Sequence, residues 1–367
     1  GAIVLVLLLG AGIAIGGEVG QFALASLNAL PFAVLAVLAY LGGSHFNWAW
    51  LATGLWLALL VGVGLIGTLT LSLGSLMEIS PGQVRPGNVS QDTGVWLRVG
   101  LLGLASLAAV LLSLLLLAPP VRRWLARFIP IDPDSFVHTV ALVAVLSIGL
   151  ICTIPLLVLG QPPLLTVLSQ LGPDTAAAGR DSAGMLRDQL YGLVWTVPTA
   201  LLAVGYGVRR NLAEALSRLG LVRPSWRQVL AGLGIALLLV AAAQLLGVGI
   251  DWLWHQLGWP LTDEAAFEQL LSFAINPLGA VVIGITAGLG EELAVRGALQ
   301  PRLGILISNL FFMSLHALQY NWDGLLAVFL VGIVCGLVRA RANTSTSAIV
   351  HGVYNFTLIM LSLLGGK

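Results

Sequence analysis

Gly-Glu-Glu-Leu-Ala-Val-Arg-Gly, residues 290–297, closes an apolar run that begins near 277. Hydropathy places this stretch inside a lipid bilayer, yet it holds Glu291, Glu292 and Arg296. An ionisable side chain at bilayer depth costs roughly 2.5–3.5 kcal/mol on insertion scales. A chain with only 16 acidic residues in 367 that sets two of them side by side there marks a functional site with partners elsewhere. Two downstream stretches offer such partners: Phe-Met-Ser-Leu-His at 312–316 and His-Gly-Val-Tyr-Asn at 351–355.

Composition sets the class around that stretch. Apolar residues make up 58% and charged residues 9% of the chain, with a mean hydropathy of +0.98, whereas soluble domains carry about 25% charge. The expected fold is therefore an all-α, polytopic bundle of transmembrane helices. A net charge of +1 argues against a nucleic-acid partner. Cys152 and Cys335 both fall in apolar runs, so neither a disulfide framework nor a cysteine metal cluster is expected. Lys367 is the sole lysine against sixteen arginines, which reads as a GC-rich, bacterial genome. The apolar run already under way at Gly1 is expected to continue upstream.

A span needs about 20 mostly apolar residues. Eleven stretches qualify, near 1–17, 21–43, 48–76, 96–118, 136–160, 189–208, 228–250, 277–299, 303–320, 323–341 and 344–364. Pro31, Pro155 and Pro198 lie inside them, and 161–188 reads as a surface linker. Gly332 and Gly336 form a small-xxx-small pair suited to close helix contact. Alternate loops divide the basic residues unevenly. Arg122, Arg123, Arg127, the five arginines of 209–227, Arg302, Arg339 and Arg341 fall on one side, against Arg85, Arg98, Arg180, Arg187 and Lys367 on the other. The Arg-rich side is expected to be cytoplasmic, in the cell (inner) membrane. Arginines at 209–227 interleaved with Leu212, Leu216 and Leu219 read as ordinary positive-inside charge, with an amphipathic surface helix as the other reading. His45, His138 and His255 fall at helix ends or loops and read as interface residues, and Asn88 and Asn343 as chance glycosylation matches.

This topology brings the polar residues to one layer. At 1.5 Å per residue, Glu291 lies about 18 Å and His316 about 20 Å from the turn near 303, and His351 about 12 Å from the turn near 343. Glu292 and Arg296, four apart, share a helix face and can neutralise each other. Glu291 points about 100° away and stays free. His351 and Asn355 place two donors on one wall.

Glu-Glu-x-x-x-Arg at 291–296, Phe-x-x-x-His at 312–316 and His-x-x-x-Asn at 351–355 together resemble the motifs of the CAAX protease and bacteriocin-processing family. That family includes the Ras-converting CAAX endoprotease. Arg-Gly-Ala-Leu-Gln-Pro-Arg-Leu-Gly at 296–304 fits it as well. The resemblance divides the chain into an N-terminal helical extension at 1–224 and a protease-like core at 225–367. It implies an intramembrane endopeptidase acting on a membrane-associated peptide or protein. In that reading Glu291 with His316 activates a water, and His351 and Asn355 stabilise the oxyanion. Glu292, Arg296 and Phe312 support the site.

The chemistry is coherent, since peptide hydrolysis needs a base, a water and donors for the developing charge. No His-Glu-x-x-His or Gly-x-Ser-x-Gly is present, and no cofactor is expected, although Glu291 with His316 and His351 is also a set that zinc accepts. The alternative is a non-catalytic membrane scaffold or regulatory subunit that engages a membrane-protein complex through the extra N-terminal spans. A proton-coupled transporter using the same Glu and His is a third reading, without a visible inverted repeat to support it.

Overall fold

In the computed structural model, the described residues are 2–44, 46–76, 93–176 and 182–365. They form helices and no strand. His45, Arg85, Asn88, Arg180 and Lys367 lie outside them. The N-terminal helices are α1 (Ala2–Ile15), α2 (Gly17–Ala25), α3 (Leu30–Gly42), α4 (Asn47–Leu76) and α5 (Thr93–Leu114). There follow α6 (Pro119–Leu125), α7 (Phe136–Leu159), α8 (Pro163–Ala176), α9 (Ser182–Ala203), α10 (Leu212–Leu219) and α11 (Trp226–Leu257). The last are α12 (Glu264–Leu271), α13 (Pro277–Ile285), α14 (Gln300–Leu315), α15 (Trp322–Arg341) and α16 (Thr344–Gly365). Between α13 and α14 the chain stays helical but with a wider turn.

Seven of these segments among the described residues are long and apolar enough to cross a membrane, and the α2–α3 pair, bent by 46°, makes an eighth if it is one span. Their outer faces are what lipid requires: Leu237, Leu238 and Leu245 on α11 and Leu51, Leu55 and Leu59 on α4 are exposed. Helix ends carry local signals. Ser225 and Asn211 each form a reciprocal capping box, with Gln228 and Glu214. Asn276 accepts from the Gly279 N–H ahead of Pro277.

The structure departs from the sequence reading at four places. Pro31 does not interrupt a helix interior but sits in the first turn of α3, just after the bend at Ala29, where its missing N–H is harmless. Residues 163–176 are not a loop: Pro163 starts a helix, Leu165 is buried, and the Leu164 N–H donates to the Leu318 carbonyl. The 209–227 loop holds the amphipathic helix α10, whose Ala215 and Leu219 pack against Ala200, Val204 and Leu293. Of the eleven expected spans, α1 is 14 residues long and α9, with Arg187 and Asp188, is not among the seven.

The turn near 303 settles the geometry of the 39-residue apolar segment Pro277–Leu315. Were it straight, Arg296 and Asn309 would stand about 20 Å apart. Instead Arg296 Nη2 donates to Asn309 Oδ1 at 3.3 Å. The chain reverses at Gly304, whose φ of 77° and ψ of 173° suit a residue without Cβ. Residues 277–303 and 305–315 are thus two antiparallel arms.

Glycines then let the arms and α16 approach at backbone contact. A Cβ at Gly288 would stand 2.7 Å from both the Ala348 carbonyl oxygen and Gly352 Cα. Gly332 leaves the space that Asn309 and Arg296 fill, and Gly336 faces Ile305 and Gln300, so the Gly332/Gly336 pair makes the close contact its spacing predicts. Gly288→Ala meets backbone that cannot swing aside, so it should cost about 1–3 kcal/mol. Thermal unfolding in detergent checks this, and an unchanged midpoint would mean that α16 parts freely from the Glu-bearing arm.

Candidate functional site

From Thr286 to Glu291 and again from Leu293 to Leu299 the backbone bonds in a π-helical, i→i+5 pattern. Such wide turns are rare and concentrate at functional sites. Here they flank the paired glutamates. On an ordinary helix two consecutive side chains diverge by about 100°. In this structure both carboxylates reach the same imidazole: His351 Nδ1 is 3.1 Å from Glu292 Oε1, and its Nε2 is 3.8 Å from Glu291 Oε2.

Glu292 is fully buried and fully engaged. Besides His351, its Oε2 lies 2.5 Å from the Ser347 hydroxyl and 3.4 Å from Arg296 Nε. Ser347 Oγ is also 2.9 Å from the Cys335 carbonyl, and its single proton serves one acceptor at a time. Arg296 is equally buried. Its Nη2 donates to Asn309, whose own amide N–H₂ is anchored on the Phe329 carbonyl at 2.8 Å. Its guanidinium carbon sits 5.3 Å from the Phe312 ring centroid, a cation–π distance. The expected Glu292–Arg296 pair is therefore present, embedded in a wider polar network.

Glu291 behaves differently. Its side chain is 39% exposed, against 6% for His351, so it faces open space beside a buried imidazole. Phe312 is the divider of the site: its ring contacts His316 at 4.8 Å and His351 at 5.9 Å, both edge-on. His316 Nδ1 is 2.9 Å from the Phe312 carbonyl; with Nδ1–H donating there, Nε2 is left as an acceptor. Asn355 lies one turn beyond His351, partly exposed, and its amide has no hydrogen bond among the described residues. Tyr320 stacks between His316 at 6.1 Å and Phe267 of α12 at 4.7 Å, which closes that flank.

Ser347, Asn309, Cys335 and the π-helical turns were not singled out by the sequence. Ser347 is four residues before His351 on α16, a helical spacing that would have put it on the same face. The metal question also shifts residues. Among the described residues, the His, Cys and acidic ligand atoms that converge in a group of three are those of Glu292, Cys335 and His351, within 4.8 Å, not Glu291 with His316 and His351. Because Arg296 and Ser347 already hold the Glu292 carboxylate, an ion there would have to displace a buried cation from its counter-charge.

Residues 273–357 match the family model described as Rce1-like, type II CAAX prenyl endopeptidase. No curated protein and no solved structure matches the chain.

Glu292→Gln leaves the Arg296 guanidinium buried without a counter-charge, and breaking such a pair costs about 3–5 kcal/mol. The variant should melt early, and Arg296→Ala should mirror it. Combining Glu292→Gln with Arg296→Met removes both charges and should recover much of the lost stability in the same melting assay.

Proposed function

Because residues 273–357 carry an Rce1-like domain of the CAAX protease family, we propose that this membrane protein is an intramembrane endopeptidase with Glu291 as its base. The observation that carries the reading is the contrast between two adjacent glutamates on one histidine: Glu292 buried and saturated, Glu291 open and 3.8 Å from His351 Nε2.

In this reading the reaction has the following steps. A water beside Glu291, oriented by the free Nε2 of His316, gives its proton to the Glu291 carboxylate. Its oxygen attacks the peptide carbonyl carbon. The oxyanion accepts hydrogen bonds from His351 Nε2–H and the Asn355 amide. Glu291 then hands the proton to the leaving nitrogen as the C–N bond breaks. Glu292 acts through His351: by accepting Nδ1–H it fixes the orientation of the ring. With His351 charged, Glu291, Glu292, Arg296 and His351 sum to zero charge in a low-dielectric setting, where an uncompensated group would be costly. The substrate is a membrane-associated peptide or protein, and no metal takes part. The partners are that substrate, the surrounding bilayer and a membrane-protein complex on the N-terminal spans. The site opens toward the cytoplasmic, Arg-rich side of the cell membrane.

Glu291→Gln keeps volume and hydrogen bonding but removes the base. It should fold and insert like the unaltered protein while its activity falls about 10²–10⁴-fold. Peptides released from membranes bearing either form, compared by mass spectrometry, test this. An unchanged peptide set would leave the scaffold reading standing. One zinc per purified chain, lost together with activity on chelation, would overturn the glutamate mechanism.

A further inference from the structure

Far from the paired glutamates, at the Arg-rich end of the bundle, four arginines gather without an acid. Arg302 is buried. Its Nη2 donates to the Tyr40 hydroxyl at 2.7 Å and the Ala203 carbonyl at 3.1 Å, and its Nη1 to the Ala298 carbonyl at 2.6 Å. Arg210 Nη1 reaches the same Tyr40 oxygen at 3.5 Å and also donates to the Val204 carbonyl. Arg218, on α10, lies within electrostatic reach of Arg302, Arg210 and Arg339. The Arg339 guanidinium packs over Gly220, two residues beyond Arg218, so closely that a Cβ there would stand 2.9 Å from its Cζ. Arg339 Nε is buried with no hydrogen-bond partner.

Among the described residues none of these four arginines has a carboxylate within ion-pair distance. Two acids nearby in the chain are engaged elsewhere. Glu214, one turn before Arg218 on α10, accepts the Asn211 N–H in the capping box at 3.0 Å, and the Asp132 carboxylate accepts the Asp134 N–H at 3.0 Å. The carbonyl end of α9 accepts two of the guanidiniums, but a helix terminus carries only about half a negative charge. Burial, then its cationic neighbours, push Arg218 down to about 10, a sign of charge held without compensation.

The site is also at headgroup level. Pro130, on the loop that follows exposed Trp124 of α6 and carries exposed Phe128, lies 3.3 Å from a Cβ position at the Gly304 turn, and tryptophans of this kind sit at membrane interfaces. Guanidinium forks match phosphate oxygens in geometry and charge.

We propose that Arg210, Arg218, Arg302 and Arg339 form a binding site for one phosphate group, carried by an anionic phospholipid headgroup, at the joint between α3, α9, α10 and the protease-like core. This site does not depend on the endopeptidase reading. Ordinary positive-inside arginines would be exposed and scattered like Arg223 and Arg227; here Arg210 and Arg302 meet at Tyr40, Arg339 packs on Gly220, and Arg218 lies within electrostatic reach of all three, so that a bound phosphate would supply the missing anion.

The test uses the full chain in detergent, with lipid retention read by native mass spectrometry and the melting temperature read on lipid addition. The unaltered protein should retain one phosphatidylglycerol and melt higher with it, but not with phosphatidylcholine. Arg218→Gln/Arg339→Gln should weaken retention at least tenfold. The charge-matched control Arg223→Gln/Arg227→Gln should stay within twofold. Millimolar inorganic phosphate should compete with the lipid. Equal losses in the two double variants, or equal retention of phosphatidylcholine, would overturn the site. Stabilisation by inorganic phosphate without any preference for the anionic lipid would overturn the lipid as its source.

Discussion

The rest of the site depends on one carboxylate kept out of water. Glu292 and its partner Arg296 are fully buried, and a buried ion pair needs further polar contacts to offset its desolvation. Ser347 and His351 supply them on the glutamate side, and on the arginine side Asn309 bonds Nη2 while Nη1 is left without a hydrogen-bond partner. Ser347 and His351 come from α16 and Asn309 from α14, so these two helices and the arm that bears Glu292 must be drawn together at this point. Gly284, Gly288 and Gly352 make that approach possible by leaving out side chains where backbones meet, and Gly332 leaves room for the Asn309 and Arg296 side chains.

The same constraint gives the exposed glutamate its setting. His351 bridges the two acids, so whatever fixes Glu292 fixes the imidazole that Glu291 faces. The wide turns on either side of Glu292 let successive residues address one ring, at the cost of regular helix geometry. A rigid inner acid and an open outer one are thus two consequences of a single local distortion.

The N-terminal helices are more than an addition to this core. α9 lies against the glutamate-bearing segment, with Leu193 and Thr196 beside Gly290. α7 packs on α14, with Gly149 against Ser314. Tyr40 of α3 ties into Arg302 next to the chain reversal at Gly304. The polar joints sit at the end of the bundle, while apolar contacts fill the middle, as expected where lipid offers no hydrogen bonds.

Hydropathy alone identified an all-helical membrane protein, because a chain with so little charge cannot make a soluble surface. Helix spacing paired Glu292 with Arg296 and His351 with Asn355, since residues four apart share a face, while the family resemblance joined these with Glu291, Phe312 and His316 into one reading. The Gly332/Gly336 contact and the reversal near 303 were legible for similar local reasons. What the sequence did not hold was the division of His351 between the two acids, or the parts played by Ser347, Asn309 and Cys335. Those depend on contacts between residues 12 to 59 positions apart and on a helix widened by its tertiary setting. Periodicity reports which residues share a face; which neighbour that face meets is decided only when the helices pack.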